Sequence, residues 1–162
     1  MIYLSMAKAL RILTIENKDD EKILRKKSTP VQTKEFKTKE LDEFLDNLLE
    51  TAKQSKEPAG GIAANQVGVN KNIFYLLNYD TNEWELFINP TVEPEGFAKT
   101  SIEESCLSVP GREEEVLRYK KVKVKYQDRE GNKQTRKYSD LNAITVQHEK
   151  DHLEGILFID RI

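Results

Sequence analysis

The sequence predicts an α+β protein, because helical and strand patterns occupy separate stretches of it. Apolar residues follow the spacing of one helix face in residues 39–54 and 139–155. Between these stretches, residues 72–89 and 114–138 read as strand, polar turn and returning strand. The chain has 162 residues, enough for one domain with a sizeable core, so a single domain over residues 1–162 is expected.

The composition is that of an ordinary soluble protein and excludes several function classes. Charged residues make up 33%, hydrophobic residues 38%, and the net charge is −2, so no nucleic-acid or membrane partner is indicated. The apolar start from Met1 to Leu13 is interrupted by Lys8 and Arg11. It is too short to span a bilayer and lacks the layout of a signal peptide. A cytoplasmic location is therefore expected.

Residues 12–31 are predicted to form an extended arm with a short turn. Pro30 disfavours helical backbone at Thr29. The charged run from Glu16 to Lys22 is interpreted as a solvated loop.

Lys39 to Gln54 is predicted to form an amphipathic helix, with Thr38 as its N-cap. Its apolar positions share one helix face and are Leu41, Phe44, Leu45, Leu48, Leu49 and Ala52. No side chain in this helix has an evident chemical role, so it is expected to support the core.

Strands are predicted for the middle of the chain. Asn72 to Asn78 and Glu83 to Asn89 flank a polar turn and suggest a hairpin, whose second strand is expected to end at Pro90. Residues 114–128 alternate apolar residues with lysines, as in a half-buried strand with its lysines in solvent. After a turn, Lys133 to Tyr138 returns.

The stretch from Gln147 to Gly155 carries the strongest chemical signal. His148 and His152 are four residues apart, so on a helix both imidazoles reach the same metal ion. Glu149 lies beside the first of them, where its carboxylate can act as a general base without binding the metal. His-Glu-x-x-His therefore predicts two metal ligands and a base.

The flanks of this motif support a helix. Ser139 or Asp140 can cap its start, and Gly155 suits the left-handed position that ends it. One stripe, expected to face inward, contains Leu141, Ile144, Thr145, His148 and His152. The alternative interpretation is a pair of core histidines satisfied by hydrogen bonds, but this spacing around a glutamate favours a metal.

Cys106 is the only cysteine, which excludes an intramolecular disulfide. Three roles remain open for Cys106: a buried hydrophobic residue, a nucleophile or a metal ligand. A thiolate with two imidazoles would leave one coordination position free, as in catalytic metal sites, whereas an Asp or Glu as fourth ligand would close the site.

Small residues cluster in the stretch from Pro58 to Gly68, where glycines would let the backbone approach a ligand closely. This is not a phosphate-binding loop, because no Gly-Lys-Ser/Thr follows. Taken alone, a plain glycine turn before a strand is the simpler interpretation.

Three motifs together resemble the peptide deformylase family. Residues 59–66 are similar to its Gly-x-Gly-x-Ala-Ala-x-Gln, and residues 104–108 to its Glu-Gly-Cys-Leu-Ser. Residues 147–155 match its Gln-His-Glu-x-Asp-His-Leu-x-Gly throughout. With flanking similarity at residues 24–31 and 88–90, the resemblance covers nearly the whole chain.

The chain departs from the family pattern at a few places. Ala59 and Ser105 stand where glycines are usual, and each adds atoms near the presumed cleft. The charged run 16–22 replaces a proline-containing turn. Some members continue into a longer C-terminal helix that helps them dock on the ribosome. This sequence stops ten residues after His152, so that helix is expected to be absent.

The resemblance implies a fold and an activity. The fold has antiparallel β-sheets around a central metal-binding helix, with helix 39–54 packed outside. The activity is hydrolytic removal of the N-formyl group from the formyl-methionine of new polypeptides during protein biosynthesis. One divalent metal ion is implied, Fe²⁺ in the family, with Zn²⁺, Ni²⁺ or Co²⁺ able to occupy the site. Formyl-methionyl nascent peptides are the implied partners, with transient contact to the ribosome surface.

The resemblance also assigns roles to residues. The metal ligands would be Cys106, His148 and His152, and Glu149 would carry protons. Oxyanion donors would be the Gln66 side chain and the Leu107 backbone N–H. Substrate-binding residues would be Gly61 through its backbone and Ile62, Leu141, Ile144 and Thr145 through an apolar pocket.

Two other classes remain open from the residues alone. A His-Glu-x-x-His metallopeptidase usually takes its third ligand downstream, whereas Cys106 lies upstream. A non-catalytic metal-binding homologue would not require Glu149 or Gln66, and both are intact.

Overall fold

The computed structural model describes residues 6–162, so residues 1–5 of the apolar start lie outside the described residues. The helices are α1 (Lys18–Leu24), α2 (Lys39–Gln54) and α3 (Asp140–Leu153). The strands are β1 (Gly61–Ala63), β2 (Ile73–Leu77), β3 (Trp84–Pro94), β4 (Lys99–Cys106), β5 (Val109–Tyr119), β6 (Lys121–Gln127) and β7 (Lys133–Ser139). Short 3₁₀ turns span Thr33–Glu35, Ala64–Val67 and Phe158–Arg161. Within this part of the chain, no helix is both long enough and apolar enough to cross a bilayer.

Two antiparallel sheets confirm the predicted α+β class. Five strands form one sheet in the order β1-β2-β3-β6-β7, and β4 with β5 forms a separate two-stranded sheet. Because side chains alternate between the faces of a strand, each face of the larger sheet buries a different set of residues. One face packs against α2 through Ile62, Ile73, Tyr75 and Ile88. The other packs against α3 through Ala63, Phe74, Leu76, Phe87, Val122 and Val124. Helix α3 also contacts β5, so it lies between the two sheets.

Helix α2 has the predicted bounds and the predicted cap. The Thr38 hydroxyl accepts a hydrogen bond from the Leu41 backbone N–H at 3.2 Å. Leu45 and Leu48 are fully buried against the sheet, whereas Phe44 and Leu49 are partly buried. The helix thus supports the core, as its apolar spacing predicted.

The charged run 16–22 is not a loop, and that prediction was wrong. It contributes most of α1, because the Asn17 side chain accepts hydrogen bonds from the backbone N–H groups of Asp19 and Asp20. Asp20 is buried and forms a two-point ion pair with Arg11. Charge therefore marks a capped helix here, with one carboxylate paired inside the protein.

Pro90 does not end the second strand of the hairpin, which also corrects the prediction. Strand β3 pairs with β2 as far as Ile88 and with β6 from Thr91, with a register shift between these residues. Asn89 takes a positive φ of 51° at this irregularity. A proline is tolerated there because it is not required to donate a ladder hydrogen bond.

Residues 114–128 likewise form parts of two strands instead of one. Strand β5 ends at Tyr119 and pairs with β4, whereas β6 begins at Lys121 and pairs with β3 and β7. The pairing of β4 with β5 was not predicted. The β2–β3 and β6–β7 hairpins are both present, as expected.

The ends of α3 agree only in part with the prediction. Ser139 occupies the N-cap position but its side chain makes no capping hydrogen bond. Leu141, expected on the inward stripe, is 41% exposed. Gly155 has the expected left-handed backbone, with φ of 76°, and a Cβ there would lie 2.2 Å from the Arg25 carbonyl oxygen.

Gly155→Ala should destabilise the fold by more than the backbone conformation alone explains. A positive φ costs a non-glycine residue about 1 kcal/mol, and the contact with Arg25 adds strain to that. We expect a loss of at least about 2 kcal/mol in the free energy of unfolding by urea denaturation. Gly96→Ala is the control, because Gly96 has a φ of 78° and nothing within 4 Å of the added Cβ. Equal losses in the two variants would contradict the contact argument.

Candidate active site

A cleft with a volume of about 150 Å³ lies between β1, the end of β4 and α3. Most residues predicted for the site line it, namely Gly61, Gln66, Cys106, Leu107, Ile144, Thr145, His148 and Glu149. His152 is buried next to Cys106, one helical turn from His148. Three segments far apart in sequence therefore meet at one place.

Cys106, His148 and His152 form a compact group of donor atoms. Their ligand atoms all lie within 4.8 Å of one another, and Cys106 Sγ is 3.3 Å from His152 Nε2. Bond lengths of ~2.0–2.3 Å to a shared tetrahedral ion would place such atoms roughly 3.3–3.8 Å apart. One sulfur and two imidazole nitrogens suit Fe²⁺, Co²⁺, Ni²⁺ and Zn²⁺. The residues present fit a metal ion.

The sulfur lies at an irregularity at the end of β4. The β4–β5 register shifts between Glu104 and Cys106, because one residue of β4 (Ser105) lies opposite four residues of β5 (110–113) there. Cys106 then pairs with Val109 across a tight turn that contains Leu107. Both Cys106 and Leu107 consequently line the cleft.

His148 is fixed by a carboxylate behind it. Its Nδ1 donates to Glu104 Oε1 at 2.8 Å, so the other ring nitrogen, Nε2, is left to bind a metal ion. Burial alone would lower the pKa of His148, but the hydrogen bonds to Cys106 and Glu104 raise it to about 10. The surroundings of this ring therefore stabilise positive charge, whether on a proton or on a metal ion.

Glu104 is in turn held by Arg118, which is almost completely buried. Arg118 donates from Nε and Nη2 to the two Glu104 oxygens at 2.6 and 2.9 Å, and from Nη1 to Asp151 Oδ2 at 2.9 Å. Burial would raise the pKa of Glu104, but the hydrogen bonds from His148 and Arg118 hold it below its usual range. The carboxylate behind His148 is therefore ionised at neutral pH.

His152 has a different environment. Burial holds its pKa well below the usual range, which leaves the neutral imidazole that metals bind. Its Nδ1 has no hydrogen-bond partner among the described residues, while its backbone carbonyl accepts from the Asn65 side chain at 2.7 Å.

Glu149 is buried beside the two histidines. Burial raises the pKa of its carboxyl to about 7, with partial opposition from His148 and Arg118. Oε2 has no hydrogen-bond partner within residues 6–162. A Cβ on Gly61 would lie 2.9 Å from Glu149 Cγ and Oε1, so the glycine makes room for this carboxyl group. A group with a pKa near neutrality both accepts and releases protons readily.

Gln66 points its amide nitrogen toward the thiol. Its Oε1 accepts from the Ala63 backbone N–H at 2.9 Å, which fixes the orientation of the amide. Its Nε2 then lies 3.6 Å from Cys106 Sγ and donates to Ser108 Oγ at 3.1 Å. A hydrogen-bond donor is thus held at the cleft.

Two of the predicted pocket residues are misplaced. Ile62 is completely buried in the core under α2, because strand alternation turns it away from the face where Gly61 meets the cleft. Leu141 lies outside the lining of the cleft and is exposed. Ala59 and Ser105, which depart from the family pattern, do line it.

Sequence reasoning missed several residues of the site. Glu104 and Asp151 lie inside the quoted motifs but received no role, and nothing local pairs them with Arg118 on another strand. Tyr79 was assigned to a polar turn, yet it lines the cleft beside Gly60.

Comparisons with known proteins agree with this geometry. Residues 10–162 match the family described as Polypeptide deformylase. Peptide deformylases of Zymomonas mobilis and Caulobacter vibrioides are 40% and 37% identical, covering 86% and 94% of this chain and 80% and 87% of theirs.

Solved structures are similar over almost all of the chain. A class I type b peptide deformylase of Acinetobacter baumannii with bound Met-Ala-Ser superposes with a TM-score of 0.87 at 30% identity, covering 97% of this chain and 100% of its own. A probable peptide deformylase of Synechococcus phage S-SSM7 gives a TM-score of 0.82 at 38% identity, covering 95% and 100%. The chain therefore belongs to the polypeptide deformylase family.

Proposed function

We propose that Cys106, His148 and His152 hold one divalent metal ion and that Glu149 carries protons in the deformylase reaction. As a peptide deformylase, the protein is a hydrolase that removes the N-formyl group from the formyl-methionine of new polypeptides and releases formate. The observation that carries the assignment is one sulfur and two imidazoles within 4.8 Å, beside a buried carboxyl group in a cleft.

The ion we propose is Fe²⁺, on the family resemblance alone. Zn²⁺, Ni²⁺ or Co²⁺ could take its place, because the mixed sulfur and nitrogen donor set suits all four. Such an ion supplies Lewis acidity, lowering the pKa of bound water from ~15.7 towards ~7 and polarising a carbonyl group. His148 would hold the ion with its ring orientation fixed by Glu104, and His152 would hold it as a neutral ring.

Glu149 takes a proton from the attacking water and later delivers one to the leaving amine. This assignment is supported by a pKa of about 7, which places both protonation states within reach at neutral pH. Its Oε2 has no partner that would compete for the proton within residues 6–162. Hydrolysis of the N-formyl group with one water molecule therefore gives formate and a free amino terminus.

Gln66 and Leu107 stabilise the oxygen on which negative charge develops. The Gln66 amide is oriented by Ala63 before substrate arrives, and preorganised donors cost no reorganisation during the reaction. The Leu107 backbone N–H lies in the tight turn directly after Cys106, at the wall of the cleft.

The substrate backbone would run along β1, which is the edge strand of the larger sheet. An edge strand offers unpaired backbone groups to an extended peptide, so Gly61 is placed to bind the formyl-methionine by hydrogen bonds. Ile144 and Thr145 would contact the methionine side chain. The Acinetobacter structure holds Met-Ala-Ser, a peptide that begins with methionine.

We also propose that the chain acts as a single catalytic domain in the cytoplasm, where formylated chains emerge from the ribosome. Transient contact with the ribosome surface would bring the cleft to its substrates. The cleft is lined by residues from positions 57 to 149, and this spread along the chain supports the first part of the proposal.

Formate release from a formyl-Met peptide, measured anaerobically together with metal content, tests the ligand assignment. Cys106→Ala, His148→Ala and His152→Ala should each lose stoichiometric metal and activity, because three protein ligands leave none to spare. The parent protein should carry about one ion per chain. Near-full metal content in any one variant would remove that residue from the ligand set.

Glu149→Ala should keep the metal and the fold but release formate roughly 10²–10⁴-fold more slowly, the usual range for a positioned proton carrier. Glu154→Gln is the matched control, because Glu154 is an exposed carboxylate at the end of the same helix, paired with Lys150. Loss of metal in Glu149→Ala would make Glu149 a ligand and contradict the mechanism.

Gln66→Leu should lower kcat by about 10²–10³-fold with little change in metal content, as for loss of one preorganised donor. Because Leu also removes the acceptor for Ala63, Gln66→Glu serves as a companion that keeps this acceptor and loses the amide donor. An effect confined to KM in both variants would show that Gln66 only positions substrate.

A further inference from the structure

We propose that Arg161 is a positioning residue for His148, acting from outside the site through a network of buried ion pairs. The inference rests on the proposed function, since it takes His148 as a metal ligand. Arg161 belongs to the Phe158–Arg161 turn that follows α3, and it lies outside all three motifs that predicted the site.

The contacts form an unbroken path. Arg161 donates from Nε and Nη2 to the two Asp151 oxygens at 2.6 and 2.8 Å. Asp151 Oδ2 also accepts from Arg118 Nη1, and Arg118 grips both oxygens of Glu104. Glu104 Oε1 finally accepts from His148 Nδ1 at 2.8 Å. We call Glu104, Arg118, Asp151 and Arg161 the ion-pair network.

Two oxygens in this network are shared, and that couples its members. Asp151 Oδ2 accepts from both Arg161 and Arg118, and Glu104 Oε1 accepts from both Arg118 and His148. If Arg161 is removed, Asp151 becomes a partly unpaired carboxylate with Arg118 as its remaining charged partner. Arg118 is then drawn toward Asp151 and away from Glu104, which loosens the acceptor that orients the His148 ring.

The members of the ion-pair network differ in solvent exposure, and Arg161 is the outermost of them. Its side chain is 44% exposed, whereas those of Asp151, Arg118 and Glu104 are 11%, 3% and 4% exposed. A second cavity of about 340 Å³ opens at this end of the network, lined by Arg118, Asp151 and Arg161 among others. Arg161 is therefore the member of the network that solvent reaches most, and it is paired with a carboxylate that is largely buried.

The same turn contacts the site by a second route. The Phe158 ring stacks on the His148 ring, with centroids 6.0 Å apart and an interplanar angle of 23°. Phe158 restrains the plane of the imidazole, and the ion-pair network restrains its rotation within that plane. Loosening of this turn would therefore disturb His148 by a route separate from the ion-pair network, and the control variant must distinguish the two.

The test compares Arg161→Gln and Arg161→Lys with the parent after loading with Co²⁺. Arg161→Gln should release Co²⁺ to a chelator about three- to tenfold faster, below the ~10–100-fold typical for groups that contact a ligand directly. The thiolate-to-cobalt absorption bands should shift, and kcat should fall with KM unchanged. Arg161→Lys keeps the charge but loses the two-point contact, so it should lie between the parent and Arg161→Gln.

Arg25→Gln is the matched control. Arg25 forms an ion pair with Asp160 of the same turn but has no contact with the ion-pair network. It should leave the Co²⁺ spectrum, the release rate and kcat as in the parent. In an Asp151→Asn background, Arg161→Gln should add no further change, because the route through Asp151 is already broken.

Parent-like Co²⁺ spectra and release rates in both Arg161 variants would overturn the inference while leaving the proposed ligands intact. An equal change in Arg25→Gln would also overturn it, because loosening of the turn would then be the cause. Additive effects of Arg161→Gln and Asp151→Asn would exclude the route through Asp151. If the parent itself binds no Co²⁺, or Cys106→Ala retains it, the proposed function fails together with the inference.

Discussion

Helix α3 lies between two sheets and carries four ionisable side chains into the interior, and the rest of the structure provides partners for them. His148, Glu149, Asp151 and His152 all have little or no contact with solvent. Isolated charges in such surroundings are expensive, so each must be neutral, paired or bound to an ion. His148 and Asp151 are paired through Glu104 and Arg118, whereas burial favours the neutral forms of Glu149 and His152.

This requirement explains the role of the separate β4–β5 hairpin. The hairpin brings Glu104 and Arg118 to α3 and, two residues after Glu104, presents Cys106 to the histidines. A single hairpin therefore supplies the sulfur, the carboxylate behind His148 and the cation that balances this carboxylate. Glu104 and Cys106 are two residues apart, so strand alternation gives their side chains the same face, and that face meets α3.

The sequence predicted those parts of the fold that depend on local pattern. It did not predict the parts that depend on pairing between residues far apart in the sequence. Helix α2 follows from its apolar spacing and its Thr38 cap, and the proposed ligand set follows from spacing and family motifs. The α1 helix was missed because its charged run was interpreted as a solvated loop, whereas Asp20 in that run is buried and paired with Arg11. Ile62 was misassigned although strand alternation alone separates it from Gly61. The role of Arg118 could not be predicted from the sequence, because the residues it pairs with lie on β4 and α3.

The charges around the proposed metal explain why the site would favour a negatively charged oxygen in the cleft. Within the ion-pair network, the two carboxylates of Glu104 and Asp151 are balanced by two guanidinium groups. The network therefore orients His148 without adding net charge behind it. With Cys106 as a thiolate and His152 neutral, a divalent ion would keep about one positive charge. The cleft side holds the Gln66 amide and the Glu149 carboxyl, which is uncharged when it has accepted its proton. The remaining positive charge would therefore be directed toward the oxygen on which negative charge develops, where low solvent exposure makes it most effective.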